Sequence, residues 1–272
     1  MRNKFVFILF SVVAFGCGNS AEEGNDISEN DSTNHTTAKH DTSTSPVLID
    51  KFPQPMDVSK ALKEYNAGYS PSIFEKTKDK TGDYLTNYSK AINLGIYCVD
   101  LGYASINDDN YNALKYLDKI QSVMNELNLV SQAELFSKRF KENINKKDSI
   151  YQCIVRSYNE ANEYYRRNNR EDVEVMIYVG GFIEGLYIST QFAKANEEKT
   201  ISLISNQQKY LENAISLMKT YCIEEEVEEL LLKLDNLKSA YYGISPDTKN
   251  ISEKQLNIIR LKVSEIRNHV VN

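Results

Sequence analysis

The 272-residue chain has no Trp, only five Pro, eleven Gly and four Cys, and just three His. So little Pro and Gly excludes collagen-like and low-complexity chains and favours long uninterrupted helices. The scarcity of His removes more. His35 and His40 lie in a polar tract and His269 stands three residues from the end. The usual nucleophile–base pairs and imidazole metal sites therefore have nothing to build on in the interior. There is no Cys-x-x-Cys, His-Glu-x-x-His, Gly-x-Ser-x-Gly or Gly-rich phosphate loop. An excess of positive charge is also lacking. Lys and Arg number 32 against 38 Asp and Glu, a formal charge of −6, which is the wrong sign for a nucleic-acid footprint. No cofactor, metal ion or nucleic-acid partner is expected, and no catalytic set is identified.

What is present begins with an address. Arg2 and Lys4 precede an uncharged stretch over residues 5–15. That stretch is too short to span a bilayer as a helix, and it fits the apolar core of a secretory signal. Ala14-Phe15-Gly16-Cys17 then approaches a Cys through small residues and resembles a bacterial lipobox. Cleavage of residues 1–16 and acylation of Cys17 are the expectation. Each buried CH₂ of an acyl chain contributes about 0.8 kcal/mol, so several chains anchor a protein stably. Gly18 follows the Cys where the best-known inner-membrane retention signal would have Asp, and Glu22-Glu23 lie close behind. That acidic stretch resembles the export tract of surface-exposed lipoproteins of Bacteroidota. The resemblance implies an outer-membrane protein, lipid-anchored and exposed at the cell surface.

Residues 17–46 carry the lipidated Cys and a run of Ser, Thr, Asn and Asp in which only Ala21, Ile27 and Ala38 are apolar. Such a tract cannot bury enough surface to offset its ordering entropy and reads as a disordered tether. The tether holds six acids against Lys39 alone, so the remainder, 47–272, is nearly neutral. That remainder reads as one all-α domain. Helical spacing is expected over 57–67, 83–105, 109–127, 131–143, 148–167, 171–195, 197–221, 224–242 and 252–271, with Asp108, Asp109 and Ser131 as cap candidates and Gly68 and Gly243 as stops. No strand alternation and no Asn-Gly or Asp-Gly turn appears. The expected architecture is a helical bundle or stacked helical-hairpin array of about eight to ten helices.

Two of these helices should be innermost. Over 91–106 both faces are apolar, and 175–193 holds a single charge, Glu184. A helix apolar all round is covered by others. The second stretch is long enough for a membrane span, but Gly180, Gly181, Gly185, Gln191 and the central Glu184 favour a buried core helix. Gly181 and Gly185, four residues apart, are expected at a close helix contact. A shift of 84 residues lays Asp100 on Glu184, Tyr103 on Tyr187 and Ser105 on Ser189. Tyr116-Leu117 and Tyr210-Leu211 follow in the next amphipathic helices. The matched spacing points to an internal duplication.

The segments Leu94-Gly95-Ile96-Tyr97-Cys98-Val99-Asp100-Leu101-Gly102-Tyr103-Ala104 and Val179-Gly180-Gly181-Phe182-Ile183-Glu184-Gly185-Leu186-Tyr187-Ile188 resemble the signature segments of uncharacterised helical lipoproteins of Bacteroidota. The similarity covers roughly residues 80–240. It implies fold and location and lends no catalytic residue.

An ionised carboxylate costs several kcal/mol to bury unless paired, so Asp100 and Glu184 need donors or a proton. With Tyr103 and Tyr187 they form the candidate polar pocket. Its occupant would be a small polar or cationic ligand, or else neighbouring Tyr, Asn or Lys side chains that only fix packing. The 18 Tyr suggest wet-edged rings, at helix rims or on a ligand or partner surface. Arg166, Arg167 and Arg170 form a compact basic cluster, and Glu224, Glu225, Glu226, Glu228 and Glu229 an acidic one. Both suit the helix dipole as solvated faces. Cys98, Cys153 and Cys222 sit at apolar helical positions and are expected to be small buried hydrophobes. Two function classes stay open. One is a lipid-tethered binding or interaction module with an envelope partner or ligand. The other is a carboxylate-based enzyme, for example acting on glycans through Asp100 and Glu184.

Overall fold

The computed structural model describes residues 57–76, 84–222, 225–246 and 248–271. The chain divides into Met1–Ser45 and Pro46–Asn272, and all described residues belong to the second unit. The signal, the tether and Thr81-Gly82-Asp83 lie outside the described residues. Every regular element among the described residues is helical. In chain order these are α1 (Asp57–Glu64), a 3₁₀ turn (Pro71–Lys76), α2 (Asn87–Ile106), α3 (Asn110–Glu126), α4 (Val130–Asn143) and α5 (Lys147–Arg167). They continue with α6 (Glu171–Phe192), α7 (Glu198–Ser205), α8 (Gln207–Tyr221), a 3₁₀ turn (Glu225–Val227), α9 (Glu228–Ser239) and α10 (Glu253–Val271).

Local chemistry accounts for the boundaries. α2 starts at Thr86, whose side chain accepts from Ser89 N while Ser89 Oγ accepts from Thr86 N, a capping box. The Asp109 side chain accepts from Asn112 N to start α3, whereas Asp108 takes the left-handed conformation (φ 62°) that closes α2. Only one of the two Asp is therefore a cap. Ser131 is not one either: α4 begins a residue earlier with no side-chain cap. Ser252 and Gln255 bond reciprocally at the head of α10. The stretch expected as one helix over 197–221 breaks at Asn206 into α7 and α8.

The packing repeats. α2, α3, α4 and α5 close a ring, each against the next and α5 back on α2; α6, α8, α9 and α10 close a second ring in the same way. The rings share the α2–α6 interface, and α5 reaches α6 as α10 reaches α2. This is the arrangement an internal duplication would leave. α2 and α6 run in the same direction: position 92 faces 180, 95 faces 177 and 181, and 99 faces 181. A Cβ on Gly95 would lie 2.0 Å from Ile177 O, and one on Gly180 would lie 1.9 Å from Ile92 O. No side chain fits there, so these two glycines bring the backbones together. Gly181 would keep 3.7 Å from its nearest neighbour, and Gly185 faces Val58 of α1. The close contact is real but rests on different glycines from the pair expected. α6 is long and apolar enough to cross a membrane, yet 94% of its most apolar window is buried inside the protein.

Candidate functional site

Both predicted acids are at the centre. Asp100 on α2 and Glu184 on α6 are each 0% exposed, and they meet at the α2–α6 interface. Their shared partner comes from the far end of the chain. Arg267 on α10, also 0% exposed, places Nε 2.5 Å from Glu184 Oε2 and Nη2 3.1 Å from Glu184 Oε1. This is the two-point geometry that makes Arg–carboxylate pairs strong. The guanidinium carbon sits 4.4 Å from the centroid of the Tyr187 ring, a cation–π contact that dry surroundings strengthen.

Asp100 is treated differently. Neither of its oxygens accepts a hydrogen bond of normal geometry. Burial pushes its carboxyl well above the usual carboxylate range, the negative charge of Glu184 pushes it further, and Arg267 pulls back only in part. The Tyr116 hydroxyl favours the charged form of Asp100, more weakly than burial and Glu184 oppose it.

Tyr103 is not part of this cluster. Its hydroxyl accepts from Ser70 N at 3.0 Å, and its ring packs against Tyr69, Phe74 and Phe192 at 5.1, 5.8 and 6.1 Å between centroids. Of the expected quartet, Asp100, Glu184 and Tyr187 are brought together and Tyr103 is turned to the 3₁₀ turn. Cys17 lies outside the described residues.

Sequence reasoning missed Arg267, although a signal existed. Leu256, Ile259, Val263, Ile266 and Val271 mark the apolar face of α10, and Arg267 stands four residues from both Val263 and Val271. It also missed Glu174, a 0%-exposed acid one turn inside α6, whose Oε1 lies 3.5 Å from Arg166 Nε. An acid in the first turns of a helix reads as a dipole partner, which hid its burial.

The tyrosines also correct expectation. Tyr97, Tyr103, Tyr116, Tyr187 and Tyr241 are among the largest fully buried side chains. Tyr84 and Tyr97 bond through their hydroxyls at 2.9 Å, and Tyr165 and Tyr178 donate to the backbone oxygens of Leu127 and Tyr210. They are core rings more than rim rings, and only some of their hydroxyls are hydrogen-bonded, while Tyr111 and Tyr242 are exposed. In the basic cluster, Arg166, Arg167 and Arg170 already face Glu174, Glu163 and Asp172. In the acidic cluster, Glu226 accepts from Thr86 and Glu229 meets Lys233; Glu224 lies outside the described residues. Burial pushes the Cys98 thiol up to about 12 and that of Cys153 to about 11, which suits packing and not nucleophilic work. Among the described residues no group of three or more His, Cys, Asp or Glu is placed to hold a metal ion.

Open pockets lie elsewhere. One of about 350 Å³ is bounded by Lys60, Ser105, Asp148, Tyr151 and Gln152, and another of about 350 Å³ by Gln132, Leu135, Glu160, Tyr164 and Arg167. A third, about 230 Å³, is walled by Tyr88, Ser89, Glu226 and His269. Comparison with protein-family models, with curated proteins and with solved structures finds no match.

Proposed function

We propose that the protein is a lipid-anchored envelope protein, held at the outer membrane by Cys17 and exposed at the cell surface, whose helical body is a binding or interaction module. One observation carries the second half of this reading. The most chemically loaded cluster in the body, Asp100–Glu184–Arg267, has all three side chains at 0% exposure, so it holds helices together where a substrate would need entry. Recognition then belongs to the outer pockets, whose walls mix Lys, Asp, Gln and Tyr with aliphatic carbon and suit a polar ligand or a protein surface. The same burial weighs against a glycan-acting pair of Asp100 and Glu184, which needs both carboxyl groups against substrate. The resemblance to Bacteroidota lipoproteins supports the location only.

Two measurements test this reading. Mass spectrometry of the mature N-terminus should find an acylated Cys17, and Cys17→Ser should leave the membrane fraction. A photo-crosslinker at Gln152, on the lipidated protein in its native envelope, should give a discrete adduct that one at Lys254 does not. A Cys17→Ser variant that stays with the membrane would retire the anchor. Identical adduct patterns at the two positions would retire that pocket as the recognition surface.

A further inference from the structure

We propose that Asp100 and Glu184 form a buried proton-binding site, in which one proton carried by Asp100 and shared with Glu184 makes the Asp100–Glu184–Arg267 cluster electrically neutral.

The charges in this dry place can be counted. All three side chains are 0% exposed, and each uncompensated ion there costs several kcal/mol. Two carboxylates and one guanidinium leave a negative charge over; two carboxylates, one guanidinium and one proton leave none. Geometry decides which acid holds the proton. The Arg267 fork is committed to Glu184 through Nε and Nη2, so Glu184 is the ionised partner. Asp100 has no donor in bonding geometry at either oxygen, a costly state for a carboxylate and an easy one for a carboxylic acid. A protonated Asp100 becomes a donor, and the Glu184 carboxylate, the charge that acts on it most strongly, is the acceptor beside it. Two carboxyl groups sharing one proton because both cannot ionise side by side is a general result of like-charge repulsion.

The groups facing Asp100 are Glu184 from α6, Arg267 from α10 and Tyr116 from α3. On α3 the buried cation Lys119 lies over the Tyr97 and Tyr116 rings at 5.1 and 5.4 Å from their centroids. On α5 the phenol of Tyr158 interacts with Asn162, Glu174 and Cys98.

Protonation of Asp100 links stability to pH with a definite sign. Its folded-state value lies above the unfolded one, so its contribution is complete below the ordinary aspartate value of about 3.9. It is lost as pH rises toward the folded-state value. Asp100→Asn keeps the shape and a donor while removing the titration.

The test uses the full chain, with aspartate side-chain carboxyls labelled with ¹³C, and reads the infrared carbonyl stretch of a protonated carboxylic acid at neutral pH. Asp100 is the only Asp among the fully buried described residues. The proposal expects an isotope-shifted band in the wild-type protein that Asp100→Asn lacks. It also expects the urea midpoint of Asp100→Asn, minus that of the wild type, to rise steadily from acid to mildly alkaline pH. A wild-type protein without the band, or a midpoint difference constant across pH, overturns it; the band needs no variant, so the result stands even if Asp100→Asn fails to fold. A second cation on Asp100, supplied by Lys119, would show as a missing band that appears in Lys119→Met.

Discussion

The two central helices match in an acid, a Tyr and a Ser at a shift of 84 residues and are unequal in what they do. Ser105 donates to Leu101 O at 2.6 Å and Ser189 donates to Gly185 O at 2.8 Å, so the matched Ser keep one role. The matched acids do not: Glu184 is clasped by Arg267, whereas Asp100 has no donor in place. The matched tyrosines diverge as well, Tyr187 lying under the Arg267 guanidinium and Tyr103 holding Ser70 N. The matched positions thus keep what serves the backbone, and the side chains part wherever the flanking helix differs. α10 carries an Arg where it meets α6, and that Arg is given to Glu184.

The sharpest way to break the comparison is to remove the Arg. Arg267→Met should destabilise the fold by about 3–5 kcal/mol, because it strands a buried carboxylate. Adding Glu184→Gln should recover part of that loss, since a neutral pair strands nothing; urea unfolding reads both. Next come the glycines of the interface. Gly95→Ala and Gly180→Ala each force backbone atoms apart and should cost about 3 kcal/mol. A Cβ on Gly181 would meet Gly95 O and Val99 Cγ2 at ordinary contact distance, 3.7 and 3.8 Å, so Gly181→Ala should stabilise by about 0.5–1 kcal/mol through helix propensity. Gly185→Ala, with its Cβ 3.3 Å from Val58 Cγ2, should fall near zero. Thermal unfolding of the four variants ranks them, and equal effects at Gly180 and Gly181 would contradict the register of α2 on α6.

The contrast also shows what a sequence can carry. Burial of α2 and α6 was legible because each is apolar on every face, and the fold class because nothing alternates with a period of two. The placement of Asp100 beside Glu184 was legible through the 84-residue shift. Arg267 was not, because an Arg within an amphipathic helix reads as a solvent residue unless the opposing charge is known. The choice between Gly180 and Gly181 turns on about 100° of helix rotation, which spacing alone does not fix. Tyr103 and Tyr187 share a sequence position, and their rings parted because one had a 3₁₀ turn to hold and the other a guanidinium to cover.

Of the two buried acids, one carries the charge and the other the proton. Urea unfolding of Asp100→Asn and Glu184→Gln, side by side at neutral pH, tests it most directly. Glu184→Gln removes the charge that the Arg267 fork is built around and should lose about 3 kcal/mol. Asp100→Asn replaces a protonated acid by a neutral side chain of the same shape that needs no proton from solution, and at neutral pH it should be as stable as the wild type or more so. Equal losses in the two variants, or the larger loss in Asp100→Asn, would contradict it.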